Sequence, residues 1–340
     1  MGKSYEQFRV IGLGIDPIHV GTGGQRLGRV DLSIVRDPVT RVPKIPGSSL
    51  AGVCRTYAAM ALNRYPMCAG QGQPEQTGHG GHCGGRDCPI CTVFGFARGT
   101  GGGFAGLAAF SDAHVLLFPV ATRKGPLWVT SPSVLRLIGC QINDSLESAL
   151  YQKEGGQPLN LGWLLLEVKQ HNGWQEKVKQ LFCDKDLREY VGQNLGLLRD
   201  DLFTHVVNSN LEVRTSVSIN PETGAAEEGA LFSYEALPRA TVLMWEVVCK
   251  NPQHFRIGGQ EVCAQVNSKP MSAPAEVFEV VKKAHDYLEH LGIGGMGTRG
   301  MGRLWVIHSS SASSSQASTA ASVEASQPAP GDSTGSHGGT

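Results

Sequence analysis

Between His19 and Arg55 the chain reads HVGTGGQRLGRVDLSIVRDPVTRVPKIPGSSLAGVCR, and no other stretch constrains the fold as much. Gly21, Gly23, Gly24 and Gly28 let the backbone take positive φ and bring its N–H groups up to a ligand with no side chain in the way. Residues 30–35 alternate as a strand, Asp37-Pro38 turns the chain, and residues 42–45 return, which predicts a hairpin carrying a single acid, Asp31. After Pro46-Gly47, the residues Leu50, Val53, Cys54, Tyr57, Met60 and Ala61 recur at helical spacing, so Ser48 or Ser49 is the expected N-cap of an amphipathic helix. Free N–H groups at that helix start, with Arg36, Arg41, Lys44 and Arg55 nearby, suit a phosphate. The plainer alternative is a surface hairpin with solvated charges and an ordinary capped helix.

The next segment changes character. From Cys68 to Gly103 the chain contains CAGQGQPEQTGHGGHCGGRDCPIC, has no apolar periodicity, and cannot build a core of its own. Cys68, Cys83, Cys88 and Cys91, with His79 and His82 as substitutes, offer soft ligands for four tetrahedral seats, and a structural zinc would give this insert a reason to be ordered. Two rivals are a dithiol redox motif at Cys88-Pro89-Ile90-Cys91, which lacks a convincing strand before it, and an unstructured loop with unused thiols. Five of the nine cysteines are scattered singly, which argues against a disulfide framework.

Elsewhere, residues 8–15 read as a strand, as do Phe110 and residues 115–120, with Asp112 between them in a cap or turn position. Arg123 and Lys124 are candidate RNA-binding cations, the run after Gly125 reads as a loop entering a short helix at residues 133–138, and residues 141–196 give a mixed reading. Residues 211–219 and 229–234 flank the turn signal Asn220-Pro221-Glu222-Thr223-Gly224, a hairpin bearing Glu227, Glu228, Tyr234 and Glu235. A strand over residues 241–248 and an amphipathic helix over 277–291 precede a second glycine curve, residues 292–303. That curve contains G-x-G-x-x-G but follows a helix and precedes a strand, the wrong context for a dinucleotide site. Gly294, Gly295 and Gly297, with Arg299 and Arg303, read better as N–H donors and cations for nucleic-acid phosphates.

Net charge is zero, so any nucleic-acid surface must be a local cluster. No apolar run is long enough to span a bilayer, the first residues lack a signal-peptide pattern, and no Gly-Lys-Ser/Thr motif suits a P-loop. A cytoplasmic location is expected.

The order His-x-Gly-x-Gly, Gly-x-Val-Asp and Pro-x-Ile-Pro-Gly-Ser-Ser-Leu-x-Gly-x-x-Arg resembles the RAMP superfamily of CRISPR-associated proteins. The later runs AGLAAFSDA, LLFPV and GPLWVTSP are similar to the repeated backbone subunit of type III-B effector complexes. The resemblance implies an α+β, modified ferredoxin-like core of the RNA-recognition type over residues 1–308. A zinc-binding insert at 64–103 and a β-hairpin thumb at 200–238 would elaborate it, before a disordered Ser/Ala/Gly-rich tail at 309–340. It implies guide CRISPR RNA, complementary target RNA, further copies of the chain in a filament and other type III subunits as partners. Asp31 would be the essential acid for target cleavage with Mg²⁺ or Mn²⁺, His19 would have a smaller role, and the acids and tyrosine of the thumb would lie near a neighbouring subunit's cut site. Two alternatives stay open: a guide-binding subunit without chemistry, and a guide-precursor-processing ribonuclease of the same superfamily.

Overall fold

The computed structural model describes residues 3–23, 30–70, 81–97, 102–227 and 229–311. The first apolar run, Tyr5–Gly14 (β1), turns Phe8 and Val10 to one face and Ile11 to the other, so it needs cover on both sides and lies inside a sheet. Lys44–Ile45 (β2) and helix Gly47–Ala61 (α1) follow. Helix Pro89–Phe94 (α2) precedes Ala108–Phe110 (β3), Ala113–Thr122 (β4) and Gly125–Thr130 (β5). After helix Pro132–Leu137 (α3) the middle third holds strands Leu150–Gln152 (β6), Gly156–Leu161 (β7) and Leu164–Gln170 (β8). Helices Gln175–Lys179 (α4) and Lys185–Gln193 (α5) and strand Leu195–Leu197 (β9) complete it. Helix Asp200–Ser209 (α6) leads into a hairpin of Glu212–Ser216 (β10) and Phe232–Ala236 (β11), and Val242–Lys250 (β12) comes next. Two small hairpins, Arg256–Ile257 with Gln260–Glu261 (β13, β14) and Gln265–Val266 with Lys269–Pro270 (β15, β16), stand before helices Pro274–Lys282 (α7) and His285–Leu291 (α8). Strand Leu304–Ser311 (β17) closes the order.

Eleven strands make one sheet in the order β17-β1-β12-β4-β5-β9-β6-β8-β7, with β2 added to β4 and β3 to β12. It is mixed, because β5 with β9 and β6 with β8 run parallel while the other pairs are antiparallel. At one end the long strands β1, β4, β12 and β17 stand in the spatial order last, first, third, second. Helix α1 follows the first of them, and α7 with α8 precede the last. These helices share a core with Phe8, Val10, Trp245 and Val247. On the opposite face Ile11, Leu117 and Met244 pack with Trp174, Phe182 and Val191. Among the described residues no helix is long and apolar enough to cross a membrane.

Four expectations need correction. Helix α1 is not capped by Ser48 or Ser49: it starts at Gly47 behind Pro46, and Asp112 accepts the Gly47 N–H at 2.8 Å. Gly47 lies so close to the Phe110 carbonyl that a Cβ would sit 2.6 Å from its oxygen, which is what brings the helix start to Asp112. The strand expected over residues 30–35 is a series of single bridges, Gly21 with Ile34, Leu32 with Tyr234 and Arg36 with Pro43, because its partners belong to three different segments. The helix expected through Leu291 breaks at Lys283–Ala284, whose N–H groups reach back only three residues, to Val280 and Val281. Ser309–Ser311, expected in the tail, extend β17 alongside Phe8–Val10, and the remainder of that tail, 312–340, lies outside the described residues.

Candidate nucleic-acid interface and cysteine centre

Residues 15–19, which lead into the first glycine curve, meet the second curve beside the β10–β11 hairpin, while Gly24 and Gly28 of the first curve lie outside the described residues. Gly295 N–H donates to the His19 carbonyl at 2.8 Å, Gly302 N–H to Pro17 at 2.9 Å and Ile15 N–H to Arg303 at 3.0 Å. Gly294 has φ +92°, and a Cβ there would strike the His19 carbonyl oxygen, so only glycine permits this approach. His19 is 6% exposed and its Nδ1 lies 2.6 Å from the Glu235 carbonyl oxygen. A carbonyl can only accept, so Nδ1 is the donor of this bond.

Asp31 is exposed at the foot of the same hairpin. Its Oδ2 accepts from the Ser233 N–H at 2.7 Å and from the Ser233 hydroxyl at 2.9 Å. Those two donors, the backbone one first, hold the carboxyl below the usual carboxylate range. Leu32 continues the contact with β11, donating to the Ser233 carbonyl at 3.1 Å and accepting from Glu235 N–H at 3.0 Å. Ser233 and Glu235 are two residues apart on one strand, about 7 Å, so β11 carries both the acid and the imidazole.

Three of the cations expected at a phosphate site are engaged with acids of the chain. Arg36 donates to Asn208 Oδ1 at 3.0 Å, to the Ile34 carbonyl at 3.1 Å and to Glu235 Oε2 at 2.9 Å. Lys44 pairs with Asp112 at 2.6 Å. Arg303 grips Asp16 through two nitrogens, at 2.6 and 3.0 Å. The Arg303 hydrogen bonds, with Arg239 and Arg214 nearby, hold Asp16 below the carboxylate range.

A second feature sits behind α1. The Sγ atoms of Cys68, Cys83, Cys88 and Cys91 all lie within 4.8 Å of one another. Cys83 to Cys91 and Cys88 to Cys68 are both 3.7 Å. Four sulfurs at a tetrahedral zinc, with Zn–S of about 2.3 Å, would be spaced about 3.8 Å apart, so the donor set fits that ion in number, kind and spacing. Cys88 is the N-cap of α2 and its sulfur accepts the Cys91 N–H, which places both cysteines of the Cys-x-x-Cys pair on one side. His82 points instead at the Gly70 carbonyl, 3.2 Å away, and His79 lies outside the described residues.

A sequence profile described as the RAMP superfamily matches residues 14–305. The chain belongs to the RAMP superfamily. A curated relative, the CRISPR system Cmr endoribonuclease Cmr4 of Pyrococcus furiosus, is 28% identical over 287 residues, covering 73% of this chain and 89% of that protein. The CRISPR system Cms endoribonuclease Csm3 of Methanothermobacter thermautotrophicus is 38% identical over 82 residues, 24% of this chain and 29% of that one. Among solved structures, the type III-B Cmr-beta complex bound to cognate target RNA includes a chain with TM-score 0.58 and 18% identity, covering 90% of this chain and 98% of that one. A crystal structure of Cmr4 gives TM-score 0.53 and 20% identity, covering 89% of this chain and all of the other. This RAMP chain therefore resembles the repeated backbone subunit of type III-B complexes, as the sequence motifs implied.

Within the RAMP fold the sequence-predicted residues divide. Asp31, His19, Gly21, Gly294, Gly295, Tyr234 and Glu235 are drawn together around β11. Gly23 has φ +74° and open space around it, Gly297 starts a single 3-10 turn, and Arg299 from that turn places its guanidinium 5.8 Å from the Phe232 ring centre. Arg41 and Ser48 are exposed and Ser49 half-buried. Arg55 is a correction: it is buried and donates to the Cys68 and Gly95 carbonyls, each at 2.6 Å, so it faces the cysteines rather than a groove. Arg36 and Glu235 form a half-buried ion pair with each other, and Tyr234 is buried with Met301 in a small core, so none of the three is a free group on the hairpin. Arg123 and Lys124 stand in the turn after β4, nine and ten residues past His114, the partner of Lys44, roughly 30 Å along the strand, and do not share its patch. Glu227 is exposed near the hairpin tip, while Glu228 lies outside the described residues. Ser233, Asn208, Arg214 and Arg239 had not been singled out; nothing local marks Ser233, whose partner Asp31 is 202 residues away.

Proposed function

We propose that this chain is a backbone subunit of a type III RNA-guided complex, binding guide CRISPR RNA and cutting complementary target RNA once per subunit. The observation that carries the reading is that Pro17–His19, at the entrance to the first glycine curve, join the second curve to the one strand that holds Asp31 through Ser233. Cutting RNA by attack of a 2′-hydroxyl needs an in-line conformer, removal of a proton and stabilisation of charge on the phosphorane. The N–H-rich curves would hold the sugar-phosphate chain, with exposed Arg299 and Arg41 as counter-charges. Asp31, already ionised and fixed in direction, would orient the hydroxyl or a hydrated Mg²⁺ or Mn²⁺, and such an ion held by one carboxylate and substrate phosphates would supply charge neutralisation. His19 supports the Glu235 carbonyl from beneath and is a positioning residue.

The strand order last, first, third, second with two crossing helix segments supports a ferredoxin-like core, and β10–β11 with its extended turn supports a thumb. Zn²⁺ held by Cys68, Cys83, Cys88 and Cys91 would be closed scaffolding with no seat for substrate. Other copies of the chain in a filament, other type III subunits and a cytoplasmic location complete the reading. A subunit that binds without cutting is the second reading: among the described residues the one group of three or more metal-type ligands is the four cysteines, and Asp31 is not in it. Reconstitution with guide and complementary RNA, with and without EDTA, separates the two. Asp31→Ala should keep binding and lose regular cleavage; undiminished cutting by the variant would remove Asp31 from the mechanism.

A further inference from the structure

We infer that Arg55 is the internal counter-ion of the four-cysteine centre and the residue that fastens helix α1 to it; the inference rests on the zinc reading above. Arg55 is 7% exposed. Its guanidinium donates to the Cys68 carbonyl at 2.6 Å and the Gly95 carbonyl at 2.6 Å, and it comes within 3.9 Å of Cys91 Sγ. No carboxylate lies within ion-pair distance of it among the described residues. A guanidinium taken out of water without an anion is strongly destabilising, and among the described residues the groups beside it that can supply negative charge are sulfurs. Four thiolates around one Zn²⁺ carry two net negative charges, and a single buried Arg offsets one of them. Four neutral thiols would leave the cation uncompensated. The charge pattern of the site thus fits a loaded metal centre and not a set of spare thiols.

The two carbonyls that Arg55 holds flank the four cysteines. Cys68, with φ +63°, is the first of them, and Gly95, with φ +81° against the Phe104 carbonyl, follows the last, Cys91, at the end of α2. One side chain from α1 therefore draws both sides of the cysteine centre to the same helix while its charge faces the metal ligands. Arg55 is a positioning residue with an electrostatic part, and the two parts can be separated by substitution.

The test measures zinc content of the purified chain and zinc affinity by competition with a chelator for the parent, Arg55→Lys and Arg55→Met. The expected result is one zinc in the parent, affinity weakened roughly 10- to 100-fold in Arg55→Met, and an intermediate value for Arg55→Lys, which keeps the charge but cannot span three acceptors. Chelation should also lower the melting temperature of the parent more than that of Arg55→Met, because only the parent is left with an unpaired buried cation. A residue that merely braced two carbonyls would leave the two drops equal, and that result overturns the inference. Equal zinc affinity in parent and Arg55→Met overturns it alone, whereas a parent that takes up no zinc overturns the zinc reading with it. If Arg55→Met does not fold, Arg55→Lys decides: affinity equal to the parent's counts against the inference.

Discussion

Asp31 Oδ2 and Ser233 are joined twice, by the backbone N–H at 2.7 Å and the hydroxyl at 2.9 Å, so the direction of an exposed carboxylate is set by a residue 202 positions away. Ser233→Ala should keep the backbone bond and lose the hydroxyl bond. Under the proposed mechanism the cleavage rate should fall about 5- to 10-fold with RNA binding unchanged, of the order expected for one hydrogen bond at an exposed site. Single-turnover cleavage with pre-bound RNA measures it.

The same bonds fix a pH dependence. Ser233 lowers the folded pKa of Asp31, so the carboxylate and whatever it contributes are fully present above the unfolded value of about 3.9 and are lost as pH falls through the lower folded value. Ser233→Ala weakens support for the charged form and should move the acid limb of the pH–rate profile upward. An acid limb that stays put in the variant would count against Asp31 as the titrating group.

Arg36 and Glu235 bind each other at 2.9 Å with both side chains mostly covered. Arg36→Met leaves Glu235 without its cation and frees Asn208 and the Ile34 carbonyl. The expected loss is about 1–3 kcal/mol of folding stability, and a double-mutant cycle with Glu235→Gln should show coupling between the two sites. Denaturant midpoints give both numbers.

Asp112 caps α1 and pairs with Lys44 at once. Burial opposes its charge, but Lys44 and the Gly47 N–H outweigh that and keep its pKa below the ordinary value. Asp112→Ala should cost about 1–2 kcal/mol at neutral pH. The deficit should shrink as the solution is acidified through the folded pKa, because the parent then loses the same contribution; stability curves at several pH values test this.

Gly294→Ala should be the most damaging single change in the second glycine curve. Its φ is positive and the added carbon meets the His19 carbonyl, which cannot retreat while Gly295 N–H holds it. A melting temperature close to the parent's would show that His19 and the second curve are not locked together as described.

The long strands and α1 were readable because each carries an apolar pattern that needs only its own residues. Tyr5–Gly14 and Val242–Lys250 hold apolar runs of the kind a strand covered on both faces needs, and Gly47–Ala61 repeats its large residues at helical spacing. The cysteine set was readable from its spacing, since metal-type ligands close in sequence leave few arrangements. What escaped was partnership at a distance. Arg55 stands in the same motif as exposed Ser48, yet its burial depends on Gly95 and Cys68 folding over it. Asp112 looked like a turn acid because its helix begins 65 residues earlier. Residues 30–35 read as a regular strand because alternation cannot report that successive residues pair with different segments.

The position of β1 between β12 and β17 has a consequence for biosynthesis. One edge of β1 pairs with β12, but the other waits for Leu304–Ser311, made only after α7 and α8. Throughout translation of that span the nascent polypeptide holds an apolar strand with open backbone donors and acceptors along one side. The ribosome-bound chain must therefore keep that margin from neighbouring nascent chains until its last strand docks.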